Sequence, residues 1–337
     1  MNAFTKTLLA TVVASIALAP IAASAEIRSH RIKLAMTAPQ GSALYDAGLK
    51  LAELVREQSD GKMKITVFEG GKLGGDLQVI GSLQGGTIEM DLTNASFLQS
   101  LVKEMTVYDL PFLFANEEEA DAVVDGPVGK KLLDLLPEHG IVGLAYMELG
   151  FRHVTNSKRP ITKLEDLQGL KLRILQTPIY IDFINALGAN ATPLPYPEVF
   201  SALETKTVDG ATNTVTLVQA QKFDEVQKYL SLTHHMYNPS LLFVSKKFWD
   251  GLNAEERQLL QEAADQVRDF ERKLSREKTA TALAELAKTM EINEVTPEER
   301  ARMREQAKPV IDKYTAQVGA SLVQEIEAEI AKSGGGS

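Results

Sequence analysis

The chain has 337 residues, a formal net charge of -9, 44% hydrophobic residues and no cysteine. The acidic balance argues against nucleic-acid binding, because there is no basic excess to displace counterions from a phosphate backbone. Without cysteine there are no disulfides, so stability has to come from a buried core. Domains usually have roughly 100 to 200 residues, so this length suits two lobes.

The first 25 residues have the pattern of a secretory signal peptide. Lys6 supplies the positive charge, residues 8–19 form the apolar run, and residues 23–25 form an Ala-Ser-Ala cleavage motif. The run is too short, and too soon followed by charge, for a retained membrane helix. We therefore expect cleavage after Ala25 and a periplasmic location. At the other end, residues 333–337 have the composition of a flexible linker.

Residues 30–68 predict a strand, a helix and a second strand. Apolar residues alternate at positions 32, 34 and 36 and again at 63, 65 and 67, whereas those at 44, 51, 54 and 55 share one helical face. A βαβ unit of this kind predicts a parallel sheet.

Two polar residues follow the next turns. Asp76 comes after two glycine pairs around Lys72, whose spacing fits neither a phosphate loop nor a dinucleotide fingerprint. These glycines either form a turn or bring Asp76 to a ligand. Residues 88–92 alternate as a half-buried strand that delivers Asn94, which either donates to a ligand or is a turn residue.

Three further elements precede the middle of the chain. The apolar run at residues 107–114 contains Pro111 and predicts a strand that ends at a bend. Asn116 and Glu119 have the spacing of a capping box at the start of a helix. Residues 141–147 predict another strand.

Residues 150–175 hold the strongest site candidates. Thr162 and Glu165 predict a capping box on a short helix, and an alternating strand follows it. Arg152 and Arg173 lie at or near strand ends, where α/β proteins open their ligand crevices. Guanidinium groups at such places suit a carboxylate, which they bind through two parallel hydrogen bonds. The alternative is that both arginines are solvated surface charges.

Polar residues also follow the later strands. Gln176 precedes the helix that Pro178 opens, so its amide either faces a cleft or serves as a cap. Tyr196 stands at the entry to another helix and forms either a wall of the pocket or part of the core. Asn213 follows a Val-Asp-Gly turn.

His234 and His235 do not predict a metal site. Adjacent residues on a strand point to opposite faces, and no nearby carboxylate or cysteine completes a ligand set. A hydrogen-bonding role at the pocket edge fits one of them, or Tyr237, better. Residues 241–245 predict a buried strand.

The C-terminal part is predicted to be helical. Asn253 and Glu256 form a capping box, and neither proline nor glycine interrupts the pattern from residue 254 to 290, which is long enough to span two lobes. Thr296 begins another helix, and Pro309 kinks or breaks it before a last amphipathic segment.

Taken together, these segments resemble the solute-binding subunits of tripartite ATP-independent periplasmic (TRAP) transporters. The matching motifs are G-x-R at 150–152, T-N-S at 155–157, P-I at 160–161, D-L-x-G-L-K-x-R at 166–173 and L-G-A-x-x-x-P at 187–193. Further similarity lies in KLGGD at 72–76, GTIEM at 86–90, EVFSALETKTVDG at 198–210 and KFDEVQKYLSLTHH at 222–235. The resemblance thus covers nearly all of the mature chain.

The resemblance implies an α/β fold of the two-lobed periplasmic binding protein type (type II-like), with an interlobe cleft, hinge strands and a long lobe-spanning helix. Lobe I is predicted to contain residues 26–150 and 239–277, and lobe II residues 151–238 and 278–332. We also expect a monomer that is not an enzyme, uses no cofactor or metal, and hands its ligand to TRAP membrane permease subunits.

Within the cleft, the resemblance implies that Arg173 is the main carboxylate clamp and that Arg152 and Asn213 lie beside it. The residues expected to shape specificity are Asn94, Asp76, Gln176 and Tyr196, and Tyr237 is the remaining candidate for ligand contact. The Ala-Thr pair before Asn213 departs from the Gln-Glu pair usual in the family, which leaves the fine specificity open.

The T-H-H-x-Y run at residues 233–237 is more similar to members that bind sugar acids, so a uronate or aldonate is the expected ligand. C4-dicarboxylates and 2-oxoacids are the alternatives, as is a role as a periplasmic sensor subunit. An exported enzyme acting on an acidic sugar is disfavoured, because the sequence has no G-x-S-x-G, H-E-x-x-H or cysteine.

Overall fold

A computed structural model describes residues 26–334, so the predicted signal peptide and its cleavage motif lie outside the described residues. The strands in this range are β1 (His30–Ala35), β2 (Met63–Phe68), β3 (Met90–Asn94), β4 (Ile141–Asn156), β5 (Lys171–Ile174), β6 (Asn190–Pro193), β7 (Gly210–Thr214), β8 (Tyr229–Ser245) and β9 (Glu291–Glu294).

Helices cover both faces of these strands. The α-helices are α1 (Ala43–Gln58), α2 (Asp76–Gly85), α3 (Glu117–Val124), α4 (Pro127–Leu133), α5 (Pro178–Ala186), α6 (Val199–Glu204), α7 (Val215–Ala220), α8 (Lys246–Gly251), α9 (Ala254–Leu286), α10 (Pro297–Gln306), α11 (Lys308–Val318) and α12 (Ala320–Gly334). Short 3-10 helices are found at Ala95–Ser100, Lys103–Asp109, Leu136–His139, Leu164–Leu167, Tyr196–Glu198 and Phe223–Glu225.

All strands join one mixed sheet with two halves. The strand order is β2-β1-β3-β8-β4-β7-β5-β6, and β9 pairs with the start of β8. β1 pairs in parallel with β2 and β3, and β5 pairs in parallel with β6 and β7. Between these halves, β8 and β4 run antiparallel to each other and to their outer neighbours β3 and β7.

β4 and β8 cross from one half of the sheet to the other. Residues 141–147 of β4 pair with residues 240–245 of β8, and residues 154–156 pair with residues 229–231. The register shifts between these two blocks, where four residues of β8, 232–235, lie opposite the single residue His153, so that β8 has three extra residues. One of the extra residues, His234, has a φ of 47°, in the left-handed region.

α9 also contacts both halves. The predicted capping box is present, with the Glu256 N–H donating to Asn253 Oδ1 at 2.9 Å and the Asn253 N–H donating to Glu256 Oε2 at 2.8 Å. Leu260, early in α9, lies in a core with residues of α1, β1 and β2. Leu286, at its end, lies in a separate core with residues of α6, α7 and β8.

A third core covers the opposite face and includes residues of the C-terminal helices. α11 packs on α5 and on the 3-10 helix Lys103–Asp109, whereas α12 packs on α3 and α4. The last helix therefore contacts elements predicted for lobe I, although residues 278–332 are predicted for lobe II. The lobe boundaries themselves stay a prediction.

Most predicted elements are confirmed. The parallel βαβ unit, the strand that delivers Asn94, the helix capped by Asn116 and the long helix after Asn253 all form. The break at Pro309 is also present, since α10 ends and α11 begins beside it. In the described part of the chain, no helix has the length and apolar character needed to cross a membrane.

Two predictions are wrong. Residues 107–114 form no strand, because the chain completes the 3-10 helix Lys103–Asp109 and then turns, with the Phe112 N–H donating to the His235 carbonyl at 2.9 Å. A short apolar run does not distinguish a strand from a buried helical turn. The capping box at Thr162 and Glu165 is displaced by one residue, since Asp166 accepts the Thr162 and Lys163 N–H groups and starts only one 3-10 turn.

Glu256 ties the start of α9 to the first strand of the protein. Besides capping α9, its carboxylate accepts hydrogen bonds from the Arg28 N–H and guanidinium and lies 3.1 Å from His30 Nε2. Burial alone would raise the pKa of Glu256, but the Arg28 and Asn253 hydrogen bonds outweigh it and bring that pKa down to about 2.

We predict that Glu256→Gln lowers the free energy of unfolding at pH 7 by about 2 to 3 kcal/mol. The folded pKa lies below the unfolded one, so this contribution is present above about pH 4.5 and is lost as the pH falls toward 2. Urea unfolding of both proteins from pH 7 to pH 2.5 should therefore show a difference that shrinks with acidification. Glu57→Gln, at an exposed position of α1, is the control. A pH-independent difference would contradict the prediction.

Candidate functional site

One cavity lies where the two halves of the sheet meet. The empty space within it, counting the part that opens to solvent, is about 430 Å³. Its polar lining consists of Thr37, Asp76, Thr93, Asn94, Arg152, Arg173, Tyr196 and Asn213, and its apolar lining of Ala38, Leu44, Leu92, Phe97, Leu149, Leu175 and Leu217. Several of these residues end or follow β1, β3, β5 and β7, the edge at which α/β sheets bind ligands.

Arg173 is a buried cation on β5. Its Nε and Nη2 both donate to the Leu194 carbonyl, at 3.0 and 2.6 Å, and its guanidinium carbon lies 5.7 Å from the centre of the Tyr196 ring. Nη1 makes no hydrogen bond within residues 26–334 and is free for an acceptor from a ligand. Burial and the charge of Arg152 lower the pKa of Arg173 to about 9, so the side chain stays cationic at neutral pH.

Arg152 is held more firmly than Arg173. Its Nη1 donates to Asn238 Oδ1 at 3.1 Å, and Nη2 donates to the carbonyl and the hydroxyl of Thr212. The Tyr180 ring lies 5.5 Å from its guanidinium carbon. Its Nε is buried and has no acceptor in the described part of the protein. Burial lowers the pKa of Arg152, and the nearby Asp109 counteracts this.

Two amides are oriented so that their NH₂ groups lack partners. Asn94 Oδ1 accepts the Ser96 N–H at 2.8 Å, and Asn213 Oδ1 accepts the Thr214 N–H at 3.0 Å. Because each amide oxygen is occupied by a backbone donor, each Nδ2 is fixed as the remaining donor. Both Nδ2 atoms are buried without an acceptor in the described chain, as is the Tyr196 hydroxyl. Leaving a buried donor unpaired costs roughly 1 to 3 kcal/mol, so such a cluster indicates a ligand site.

Asp76, the first residue of α2, is the acidic group of the cavity. Its Oδ1 accepts hydrogen bonds from the hydroxyls of Thr37 at 2.7 Å and Thr93 at 2.5 Å. Burial raises the pKa of Asp76, whereas these hydrogen bonds and the charge of Arg173 favour its ionised form. Both threonine hydroxyls donate to Oδ1, and no side chain within residues 26–334 donates to Oδ2.

These groups define which chemical groups of a ligand the cavity can bind. Arg173 Nη1 and Arg152 Nε, with the amides of Asn94 and Asn213, present donors to a carboxylate. Asp76 offers an acceptor that suits a hydroxyl group. Within the described range no group of three or more histidine or carboxylate side chains is arranged to hold a metal ion.

The predicted site residues do not all meet in this cavity. Six of the eight line it, namely Asp76, Asn94, Arg152, Arg173, Tyr196 and Asn213. The side chain of Gln176 is exposed and lies in a separate depression at the mouth, with the glycine loop after β2 and the prolines around Tyr196. The Tyr237 hydroxyl donates to Glu148 Oε2 at 3.3 Å, and the ring packs on Phe114 and Phe151 outside the cavity.

The glycine loop serves a purpose that neither sequence alternative included. It brings backbone from one half of the sheet against the other half, because a Cβ on Gly71 would lie only 2.6 Å from Cγ of Pro197. Gly71 also has a φ of 75°, which favours glycine. The loop thus turns and also packs against the other half of the sheet.

The paired histidines point in different directions, as expected from a strand. The His234 ring packs on His153, with ring centres 4.5 Å apart, whereas the His235 ring stacks on Phe183. Burial lowers the pKa of both His234 and His235. Neither lines the cavity.

Sequence reasoning missed the residues that support the predicted ones. Thr37 and Thr93 orient Asp76, while Phe97, Leu149 and Leu217 supply apolar walls. Thr37 comes two residues after the end of β1, so the strand-end rule used for the arginines would have identified it. The leucines and the phenylalanine have no such signal, because apolar residues on helices and strands are usually core.

A family model described as bacterial extracellular solute-binding protein, family 7, matches residues 34–317. Among curated proteins, the chain is similar to a 2,3-diketo-L-gulonate-binding periplasmic protein of Escherichia coli. The two are 36% identical over 251 residues, which is 74% of this chain and 76% of the relative.

Solved structures show the same two-lobed architecture. The sugar acid binding protein of Advenella mimigardefordensis in complex with galactonate is 42% identical, with a TM-score of 0.89 over 91% of this chain and 99% of that one. A TRAP periplasmic solute-binding protein of Ochrobactrum anthropi, with its C-terminus bound in its ligand-binding pocket, is 51% identical, with a TM-score of 0.82 over 92% of this chain and 97% of that one.

Two buried tyrosines allow the unpaired donors to be tested without a ligand. Tyr196→Phe removes a hydroxyl that has no partner in the described chain, so we expect thermal stability to stay unchanged or rise slightly. Tyr180→Phe removes a hydroxyl that donates to Asp109 and accepts from Asn238, so we expect a loss of about 1 to 3 kcal/mol. Calorimetry measures the thermal stability of both ligand-free variants against that of the unchanged protein. Equal destabilisation by both changes would contradict it.

Proposed function

The chain belongs to family 7 of the bacterial extracellular solute-binding proteins, and we propose that its ligand is a sugar-acid anion, an aldonate or uronate. As a TRAP solute-binding protein, it would release this ligand to the membrane permease subunits of its transporter. We further propose that the mature protein begins at Glu26, acts in the periplasm as a monomer, and performs no chemistry on its ligand.

The observation that carries the proposal is the set of unpaired polar atoms in one cavity. Arg173 Nη1, Arg152 Nε and the amide nitrogens of Asn94 and Asn213 are donors without acceptors in the described chain. A ligand carboxylate would accept from two or more of them. Because each donor is already oriented by its other hydrogen bonds, little side-chain entropy is lost on binding.

Asp76 favours a hydroxylated acid over a dicarboxylate. A second ligand carboxylate near its free Oδ2 would be repelled in a cavity of low polarity, whereas a sugar hydroxyl would donate a hydrogen bond to it. Among the relatives, one binds 2,3-diketo-L-gulonate and one was solved with galactonate, whereas another binds C4-dicarboxylates and another was solved with succinate. The C4-dicarboxylate alternative requires Asp76 to be protonated when the ligand is bound.

Ligand binding would act by holding the two lobes together. The cavity walls come from both halves of the sheet, so the contacts to a ligand are complete only when the halves are close. A ligand that interacts with both halves therefore shifts the population to the closed form. β4, β8 and α9 connect the halves and would carry the hinge motion.

A ligand panel tests the proposal. Residues 26–332 are titrated by calorimetry with D-galactonate, D-glucuronate, succinate and pyruvate, with thermal shifts as a second readout. At 100 times its dissociation constant, a ligand stabilises the fold by about 2.7 kcal/mol. We expect saturable binding of an aldonate or uronate without turnover. Binding of succinate alone would overturn the sugar-acid assignment, and product formation would overturn the non-enzymatic one.

In the same panel, Arg173→Met should weaken binding of the best ligand by about 2 to 5 kcal/mol, because a buried carboxylate loses its charged partner. Arg302→Met, on an exposed arginine that pairs with Glu165 and Glu299, is the matched control and should leave affinity unchanged. Retained affinity in Arg173→Met would refute the assigned clamp.

Asp76→Asn tests the basis of specificity. We expect weaker aldonate or uronate binding by about 1 to 3 kcal/mol, because the charged acceptor for a hydroxyl is lost, and stronger succinate binding, because the repulsion is removed. Asp182→Asn changes a carboxylate on α5 that pairs with Lys313 at the surface, and serves as the control. A parallel loss for both ligand classes would contradict the assigned role of Asp76.

A further inference from the structure

A fully buried carboxylate lies behind the cavity and does not line it. Asp109 ends the 3-10 helix Lys103–Asp109 and has no solvent exposure. Its Oδ1 is the focus of three hydrogen bonds, from the Ser96 hydroxyl at 2.6 Å, the Tyr180 hydroxyl at 3.1 Å and Asn238 Nδ2 at 3.0 Å. Its Oδ2 has no partner in the described part of the chain.

Two of these partners contact the guanidinium of Arg152. Asn238 accepts from Arg152 Nη1 through Oδ1 while it donates to Asp109 through Nδ2. Since arginine can only donate, Asn238 Oδ1 must face Arg152, and this fixes the orientation of the Asn238 amide. The Tyr180 ring, anchored by its hydroxyl on Asp109, packs against the same guanidinium.

The third partner connects Asp109 to Asn94. The Ser96 hydroxyl lies 2.6 Å from both Asp109 Oδ1 and Asn94 Oδ1, but its single proton can be donated to only one of them. Because the Ser96 N–H donates to Asn94 Oδ1, the hydroxyl is free to donate to Asp109. Ser96 thus holds the Asn94 amide with its oxygen turned to the backbone and its Nδ2 left as a donor. Asp109 holds Ser96 in turn.

We propose that Asp109 is the positioning residue of the binding site, and that it aims Arg152 and Asn94 at the ligand without touching the ligand itself. This inference rests on the proposed function. It deepens that function by assigning the orientation of donors from both halves of the sheet to one buried carboxylate.

The cost of burying this group supports a role beyond packing. Burial raises the pKa of Asp109 to about 7, against the opposing effect of its hydrogen-bond donors and of Arg152. A leucine of similar volume would fill the same space without that cost. It would, however, leave Asn238 and Ser96 without the acceptor that orients them.

Two substitutions of Asp109 distinguish the effect of its hydrogen-bond acceptor from the effect of its side-chain volume. Asp109→Asn keeps an oxygen at the Oδ1 position and places an amide nitrogen where Oδ2 has no partner, so we expect D-galactonate affinity within about fivefold of wild type. Asp109→Leu removes the acceptor, and we expect a loss of at least 30-fold. Affinity in Asp109→Leu equal to that in Asp109→Asn overturns the proposal.

A double-mutant cycle separates positioning from general destabilisation. If Asp109 acts through Arg152, the Asp109→Leu effect should shrink at least threefold in an Arg152→Met background. Asp76→Asn is the matched control, since no hydrogen bond links Asp76 to Asp109 within the described residues, and the two changes should be independent there. Independent effects with Arg152→Met overturn the proposal.

A less disruptive substitution keeps the proposal testable if Asp109→Leu does not fold. Ser96→Ala removes only the hydroxyl between Asp109 and Asn94, and we expect a loss of galactonate affinity of about threefold to tenfold. Unchanged galactonate affinity in Ser96→Ala overturns the part of the proposal in which Asp109 orients Asn94 through Ser96. If wild-type protein binds galactonate but these variants bind equally well, the inference fails alone. If wild-type protein binds no sugar acid, the proposed function fails and the inference falls with it.

Discussion

Two buried guanidinium groups line one cavity, and the other groups around them compensate their positive charge. Arg152 and Arg173 are almost completely shielded from water, and the charge of Arg152 adds to burial in lowering the pKa of Arg173. Two desolvated cations are tolerated only where carbonyls, carboxylates and aromatic faces surround them. Here Leu194 and Thr212 supply carbonyls, and Asp109 and Asp76 lie nearby as counter-charges. A bound carboxylate would complete that compensation.

The crossing strands β4 and β8 place Arg152 where the two halves of the sheet meet. β4 carries Arg152 immediately beside the point where its register with β8 shifts, so the arginine sits at the junction of the two halves rather than deep in either. The extra residues of β8 interrupt the ladder at this point. An interrupted ladder resists bending less than a continuous one, whereas α9 remains unbroken along both halves and limits the directions in which they can move.

The polar site is maintained at the expense of stability. Several buried donors and the second oxygen of Asp109 have no partner in the described chain, and each such group disfavours folding. Three large apolar cores offset this cost, and the Glu256 network fastens the first strand to α9 far from the cavity. The binding site can therefore keep unpaired groups that a purely structural core would exclude.

The sequence by itself determined the local elements and the strongest candidates for ligand contact. Alternation, capping residues and prolines depend on neighbours close in the chain, so the βαβ unit, the long helix and the strand-end arginines were predictable, and ordered motifs pointed to the family.

Tertiary structure alone decided which of these residues meet. Gln176 and Tyr237 follow the same local rules as Tyr196 and Asn213, yet lie at the mouth and outside the cavity. The 3-10 helix at Lys103–Asp109 and the network around Asp109 depend on groups up to 129 residues apart in the chain. Contacts at that separation follow from how whole elements pack, which no local pattern records.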